Sequence, residues 1–199
     1  QAANDFVGAV GLNNSGAFAV ALVDTNAVDL GLSSVGTSTL SVTATAGAIT
    51  QSSTITQAGG AGTASFISTN GSSITLGGNN VFTGAVDITN TGGTGSTTVF
   101  DTTALSMAAS DFGTGTLALT GAGITQTGAL IQDASAGAVT LTPGAGNSVT
   151  LTTATNDFTG AVTAANGLNI ALRDANTLIL GGQTVTGTFA TQAVATTIT

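Results

Sequence analysis

Along most of this chain apolar and polar residues alternate in short runs, as in Leu40-Ser-Val42-Thr-Ala44, Leu117-Ala-Leu119 and Val149-Thr-Leu151. A period of two sends one side of a strand into a core and the other into solvent. The runs follow one another closely along the whole chain. Clusters such as Gly77-Gly78-Asn79-Asn80 and Asn166-Gly167 separate them, built from residues that tolerate the positive φ of tight turns. The pattern predicts an all-β chain of many short strands.

Those strands belong to repeats. Asn4-Asp5-Phe6-Val7-Gly8-Ala9-Val10 returns as Asn80-Val81-Phe82-Thr83-Gly84-Ala85-Val86, and again as Asn156-Asp157-Phe158-Thr159-Gly160-Ala161-Val162, so the three copies are equally spaced. A second marker follows each, with Asp24, Asp101 and Asp174 at corresponding places. A third, Gly47-Ala48-Ile49-Thr50-Gln51, recurs as Ala122-Gly123-Ile124-Thr125-Gln126. A shorter, constant interval links Ile49, Ile74, Val99, Ile124 and Val149, and a second column in the same register runs through Leu30, Ile55, Leu105, Leu130 and Leu180. Taking that interval, about 25 residues, as one turn of a coil predicts a parallel β-helix. About eight such turns would span the chain, with three to each long repeat, and stacked strands about 4.8 Å apart would make a rod roughly 38 Å long. One domain, 1–199, then contains long repeats 4–79, 80–155 and an incomplete 156–199, with the ten column residues as core and Phe6, Phe82, Phe158 and the three Asp as markers.

The N-D-F-x-G-A-V opening, the L-x-D step and the G-A-I-T-Q step resemble the repeats of filamentous-haemagglutinin-like giant exoproteins of two-partner and autotransporter secretion. The resemblance covers essentially the whole chain and departs at Val81, which stands where the first marker has Asp. It implies a right-handed parallel β-helix outside a bacterial cell, serving as stalk, adhesin or fibre.

Composition narrows the choices. Thr, Val and Ile favour strands, while Glu and Lys are absent and Arg173 is the single Arg. Nine Asp against one Arg give a formal charge of −8, which disfavours nucleic acid and anionic membranes as partners. There is no run of about 18 apolar residues for a transmembrane helix. A membrane β-barrel would want girdles of Trp and Tyr, and the chain contains neither. With no Cys there is no disulfide framework and no thiolate metal site.

Candidate chemistry is sparse. The pairs Asp5/Asp29, Asp87/Asp111 and Asp133/Asp157 share one separation, close enough to a turn for two-carboxylate glycosidase geometry to be considered. No His, Lys, Tyr or Trp accompanies them, and Asp at turns more often caps backbone N–H groups. A solenoid Ca²⁺ role for Asp24, Asp101 and Asp174 lacks the G-G-x-G-x-D pattern. Thr pairs such as Thr140/Thr142 and Thr150/Thr152 fall at several phases of the expected turn, so no single ice-binding array is expected. The sequence therefore predicts no catalytic, cofactor-binding or metal residues, no enzyme and no cofactor. Its leading expectation is an extracellular structural rod whose partner is itself. The text of the last residues, Ile198-Thr199, followed by Gln1 would recreate the I-T-Q step, and head-to-tail continuation is expected on that ground, either between stacked subunits or between neighbouring repeats of one longer chain. Host or matrix glycans are a candidate second partner, with carbohydrate binding or cleavage as the alternative function and ice binding the third.

Overall fold

The computed structural model describes residues 4–199, so Gln1 and its place in a junction lie outside the described residues. The chain winds into a parallel β-solenoid of about nine turns. One sheet stacks nine strands in the order Val28–Leu30, Ile49–Gln51, Ile74–Asn80, Thr97–Asp101, Leu117–Thr120, Val139–Thr142, Val162–Gly167, Thr177–Val185 and Ala195–Ile198. The opposite sheet stacks Val20–Asp24, Leu40–Ala44, Ala64–Ser68, Val86–Asn90, Leu105–Met107, Ile124–Gln126, Val149–Leu151, Ile170–Arg173 and Phe189–Gln192, and Ser110–Asp111 and Leu130–Ile131 extend it to eleven. Ser33–Val35 and Ile55–Gln57 pair as a small third sheet. All these ladders are parallel, so each strand meets its equivalent one turn later.

Alternation does what the sequence pattern requires. Leu40, Val42 and Ala44 are buried while Ser41 and Thr43 between them are half-buried on the outside. Burial of the inward side chains contributes about 25 cal/mol per Å² of apolar surface, and one turn alone could not enclose that surface. The core is a continuous file of Leu, Ile, Val and Phe between the sheets, from Leu22 to Leu180.

The turn length is shorter than expected. Steps along the nine-stranded sheet from Val28 through Ile49, Ile74, Thr97, Leu117, Val139, Val162 and Leu180 to Ile198 average about 21 residues. Ile49 does stack on Ile74, and Ile124 on Val149, each a turn of the expected length. Val99, however, pairs with Leu76 while Ile74 pairs with Thr97, and Ile124 lies on the other sheet. The second column is also divided: Leu30 and Leu180 lie on the nine-stranded sheet, Leu105 and Leu130 on the eleven-stranded one, and Ile55 on the third. All ten residues are buried. The physical reason is that inward positions recur at every second residue on every side of the coil. A fixed interval can therefore strike buried positions throughout without following one stack.

The long repeat is consequently not three turns. Val20–Asp24 on the eleven-stranded sheet corresponds to Thr97–Asp101 on the nine-stranded sheet, and that in turn to Ile170–Arg173 back on the first. Each long repeat therefore advances three and a half turns, about 17 Å at the usual strand spacing. Successive copies face opposite ways.

Candidate functional site

The three markers converge in space. Asp101 comes from the strand Thr97–Asp101, whose inward pattern buries its carboxylate. Its Oδ2 accepts the Phe82 backbone N–H at 3.1 Å, from the turn before. Its Oδ1 accepts the backbone N–H and the hydroxyl of Thr103, at 2.8 and 2.9 Å. Asp174 repeats this with Phe158 N–H at 2.7 Å and Asn176 N–H at 2.7 Å. Asp24 does so with Phe6 N–H at 2.8 Å and Asn26 N–H at 3.0 Å. Each marker Asp thus closes its own turn and also ties down the aromatic of the preceding one. Phe82 and Phe158 are buried beneath that tie, whereas Phe6, in the first described turn, remains 42% exposed.

The third marker joins the first. Asn80 and Gln51 exchange amide hydrogen bonds at 2.9 and 3.0 Å, and Asn80 Oδ1 also accepts the Ile55 N–H at 2.9 Å. Asn156 and Gln126 exchange theirs at 2.8 and 2.9 Å, with Leu130 N–H donating at 3.0 Å to Asn156 Oδ1. The Asn80 and Asn156 amides then donate to Phe100 O and Arg173 O in the next turn, at 3.1 and 3.2 Å. Beside these, Gln57 and Gln132 each bridge a turn: their amides donate to Gly62 O and Gly137 O, and their oxygens accept from Gly84 N–H and Gly160 N–H. The glycine of the marker is required by close approach. A Cβ on Gly84 would collide with Gly62 O, and one on Gly160 with Gly137 O. Sequence reasoning found the marker positions but missed Gln57 and Gln132, although the two stand at the same offset as Gln51 and Gln126.

The fold shifts two of these carboxyls in opposite directions from the ordinary Asp pKa. Asn26 N–H beside Asp24 holds its carboxyl below the ordinary range, burial acts against this, and Phe6 and Thr25 N–H groups add to it. Burial pushes Asp101 up and outweighs the donors on Thr103 and Phe82. A raised folded value favours the folded state below the ordinary Asp pKa of about 3.9, and this is lost as pH rises through the folded value. A lowered value does the reverse. The stability lost in Asp101→Asn should therefore shrink as pH rises from about 3 to 6, and that lost in Asp24→Asn should grow. Urea unfolding across that range checks both slopes, and parallel slopes would contradict the assignment.

On the outer surface, the expected carboxylate pairs mostly separate. Asp29 stands opposite Thr50, and its carbonyl accepts from Val10, so Asp5 is not its neighbour; Asp5 bonds Asn26 instead. Asp87 accepts from the Ser65 hydroxyl, and Asp111 faces Thr89. Only Asp133 and Asp157 share an open groove, of about 560 Å³, with Ile131, Asn176 and Thr159. No group of three or more acidic, His or Cys side chains suited to a metal occurs among the described residues.

The Thr residues behave differently from expectation. With the true turn length, Thr50, Thr75, Thr98, Thr140 and Thr163 fall into one outward column of the nine-stranded sheet, interrupted by Ala118. Thr125 and Thr150 form the corresponding short column on the other sheet. A constant longer turn scatters the same residues over several phases.

The family model for repeats of unknown function (DUF5649) matches residues 17–89 and again 94–165. The chain belongs to this family. The second DUF5649 match begins one residue further beyond the first than Phe82 lies beyond Phe6, so the two share their spacing while their boundaries differ. No curated protein and no solved structure matches the chain.

Proposed function

We propose that the chain is a structural rod: a stalk or filament segment of an extracellular bacterial adhesin or fibre, in which solenoid ends stack head to tail. The observation that carries this reading is the unbroken parallel stack, in which a nine-stranded and an eleven-stranded sheet repeat the same pairing turn after turn. A stack of this kind extends by the same strand pairing, and a heterologous contact of this kind propagates without closing. The buried inter-turn bonds suit a load-bearing part, and the resemblance to giant exoproteins supports an extracellular setting. A glycan-binding reading has the Asp133/Asp157 groove in its favour. The Phe158 ring beside that groove is buried and offers no stacking platform for a sugar.

Electron microscopy of the purified chain tests the proposal. Filaments with a reflection near about 4.8 Å along the axis are expected. Uniform short particles at every concentration would refute end-to-end stacking, and glycan binding at the groove would then be measured.

A further inference from the structure

The outward face of the nine-stranded sheet differs from the rest of the rod. From Ile49–Gln51 to Val162–Gly167 its strands direct no charged side chain outward: Asp101 points inward and is buried. The other carboxylates outside the core lie elsewhere. Asp87 and Asp111 are on the eleven-stranded sheet, Asp133 and Asp157 in the groove, Asp5 beside Asn26, and Asp29 on the first strand of the nine. In a chain of net charge −8, this leaves one side on which two copies can meet without bringing carboxylates together.

That side also carries relief. Phe100 is its single large aromatic, half-buried on the outside of Thr97–Asp101. In the preceding turn Gly77 has nothing within 4 Å of where a Cβ would be. Gly77 lines an open depression of about 450 Å³ with Thr50, Thr75 and Gly78. Knob and hollow lie one turn apart, on the same side of the Thr75 and Thr98 column.

We propose that two copies of this chain pair face to face through the nine-stranded sheets, running antiparallel. A two-fold axis between Ile74–Asn80 and Thr97–Asp101 sets each Phe100 over the partner's hollow, because such a rotation keeps position along the strand and reverses position along the rod. The contact is isologous. Thr75 then faces Thr98, Thr50 faces Ala118, and the strand spacing of both partners is the same by identity. About that axis the charge-free strands that face each other are the four from Ile49–Gln51 to Leu117–Thr120, while Val139–Thr142 meets the strand Val28–Leu30 of the other copy, with Asp29 against Thr140. Four strands about 4.8 Å apart and about 17 Å long give roughly 330 Å² per partner, less than the usual 800 Å² or so of a stable interface. One pair of chains is therefore weak. Stacked end to end, the contact accumulates along the length, so the strength of pairing rests on the rod reading above.

The experiment compares Thr50→Asp with Thr75→Asp, made together, against Thr125→Asp with Thr150→Asp at the repeat-equivalent places on the other sheet. Circular dichroism verifies that both variants fold. Wild type and the second variant should form doublet filaments, and the first single filaments with the same axial reflection. Single wild-type filaments, or doublets that survive Thr50→Asp/Thr75→Asp, would overturn the pairing. If no filaments form, the rod reading fails on its own. Sedimentation at high concentration then decides, with dimers lost in the first variant alone supporting the pairing and monomers throughout overturning it. Wild-type chains retained by ice as single rods, with retention lost in the first variant, would also overturn it and assign the face to crystalline water.

Discussion

Asn156→Ala should lower the stability of the folded chain by about 3–5 kcal/mol, a loss of the size expected when several buried polar groups lose their partners together. The Asn156 side chain is fully buried. It receives hydrogen bonds from Gln126 and Leu130 and donates to Gln126, Leu151 and Arg173. Alanine leaves the buried Leu130 N–H and Leu151 carbonyl, and the half-buried Gln126 amide and Arg173 carbonyl, without these partners. Asn156→Asp should be no milder, since a carboxylate cannot donate to the Leu151 and Arg173 carbonyls and would place a charge against them. Asn4 occupies the same place in the first copy, yet it is exposed and among the described residues its amide bonds only Val23 O, at 2.8 Å. Asn4→Ala should stay within about 0.5 kcal/mol of wild type. Urea unfolding of the variants, completed to a double-mutant cycle with Gln126→Ala, measures the coupling. A loss for Asn156→Ala no larger than that for Asn4→Ala would show that the amide pair does not hold the turns in register.

That contrast also shows what the sequence could reveal. The strand period, the parallel solenoid and the marker positions were all legible, because inward alternation and exact recurrence are local properties of the text. The turn length was not. Gly77-Gly78 sits at an irregularity where Val99 pairs with Leu76 but Asp101 with Asn80, so the number of residues between stacked strands is absorbed in places no hydrophobic pattern marks. Similarly, nothing in the text says that a repeat unit ends on the opposite sheet from the one on which it began. Once the half turn is known, the bonding of Asp101 to Phe82 and of Asn156 to Gln126 explains why those residue types recur. The face-specific gathering of Thr depended wholly on the corrected turn, and so was misread.

Phe66→Ala carries the other large expected effect. Phe66 is fully buried between Val42 of the turn before and Ile88 of the turn after. Its ring meets that of Phe82 edge-on, with centroids 5.9 Å apart and planes at 72°. Truncation removes this pair and leaves a cavity that rigid flanking ladders cannot close, at a cost of about 3–5 kcal/mol. In a stack where each turn touches only its neighbours, that loss is local before it is global. Hydrogen exchange should show it as faster exchange in Leu40–Ala44, Ala64–Ser68 and Val86–Asn90, with Val149–Leu151 and Ile170–Arg173 little changed. Phe18 provides the control: it is 81% exposed, and Phe18→Ala should leave all these amides as they are. Equal loss of protection from end to end in Phe66→Ala would instead mean that the rod unfolds as one block. The bonds between repeats, above all those of Asn80 and Asn156, would then be strong enough to carry a defect from one repeat into the next.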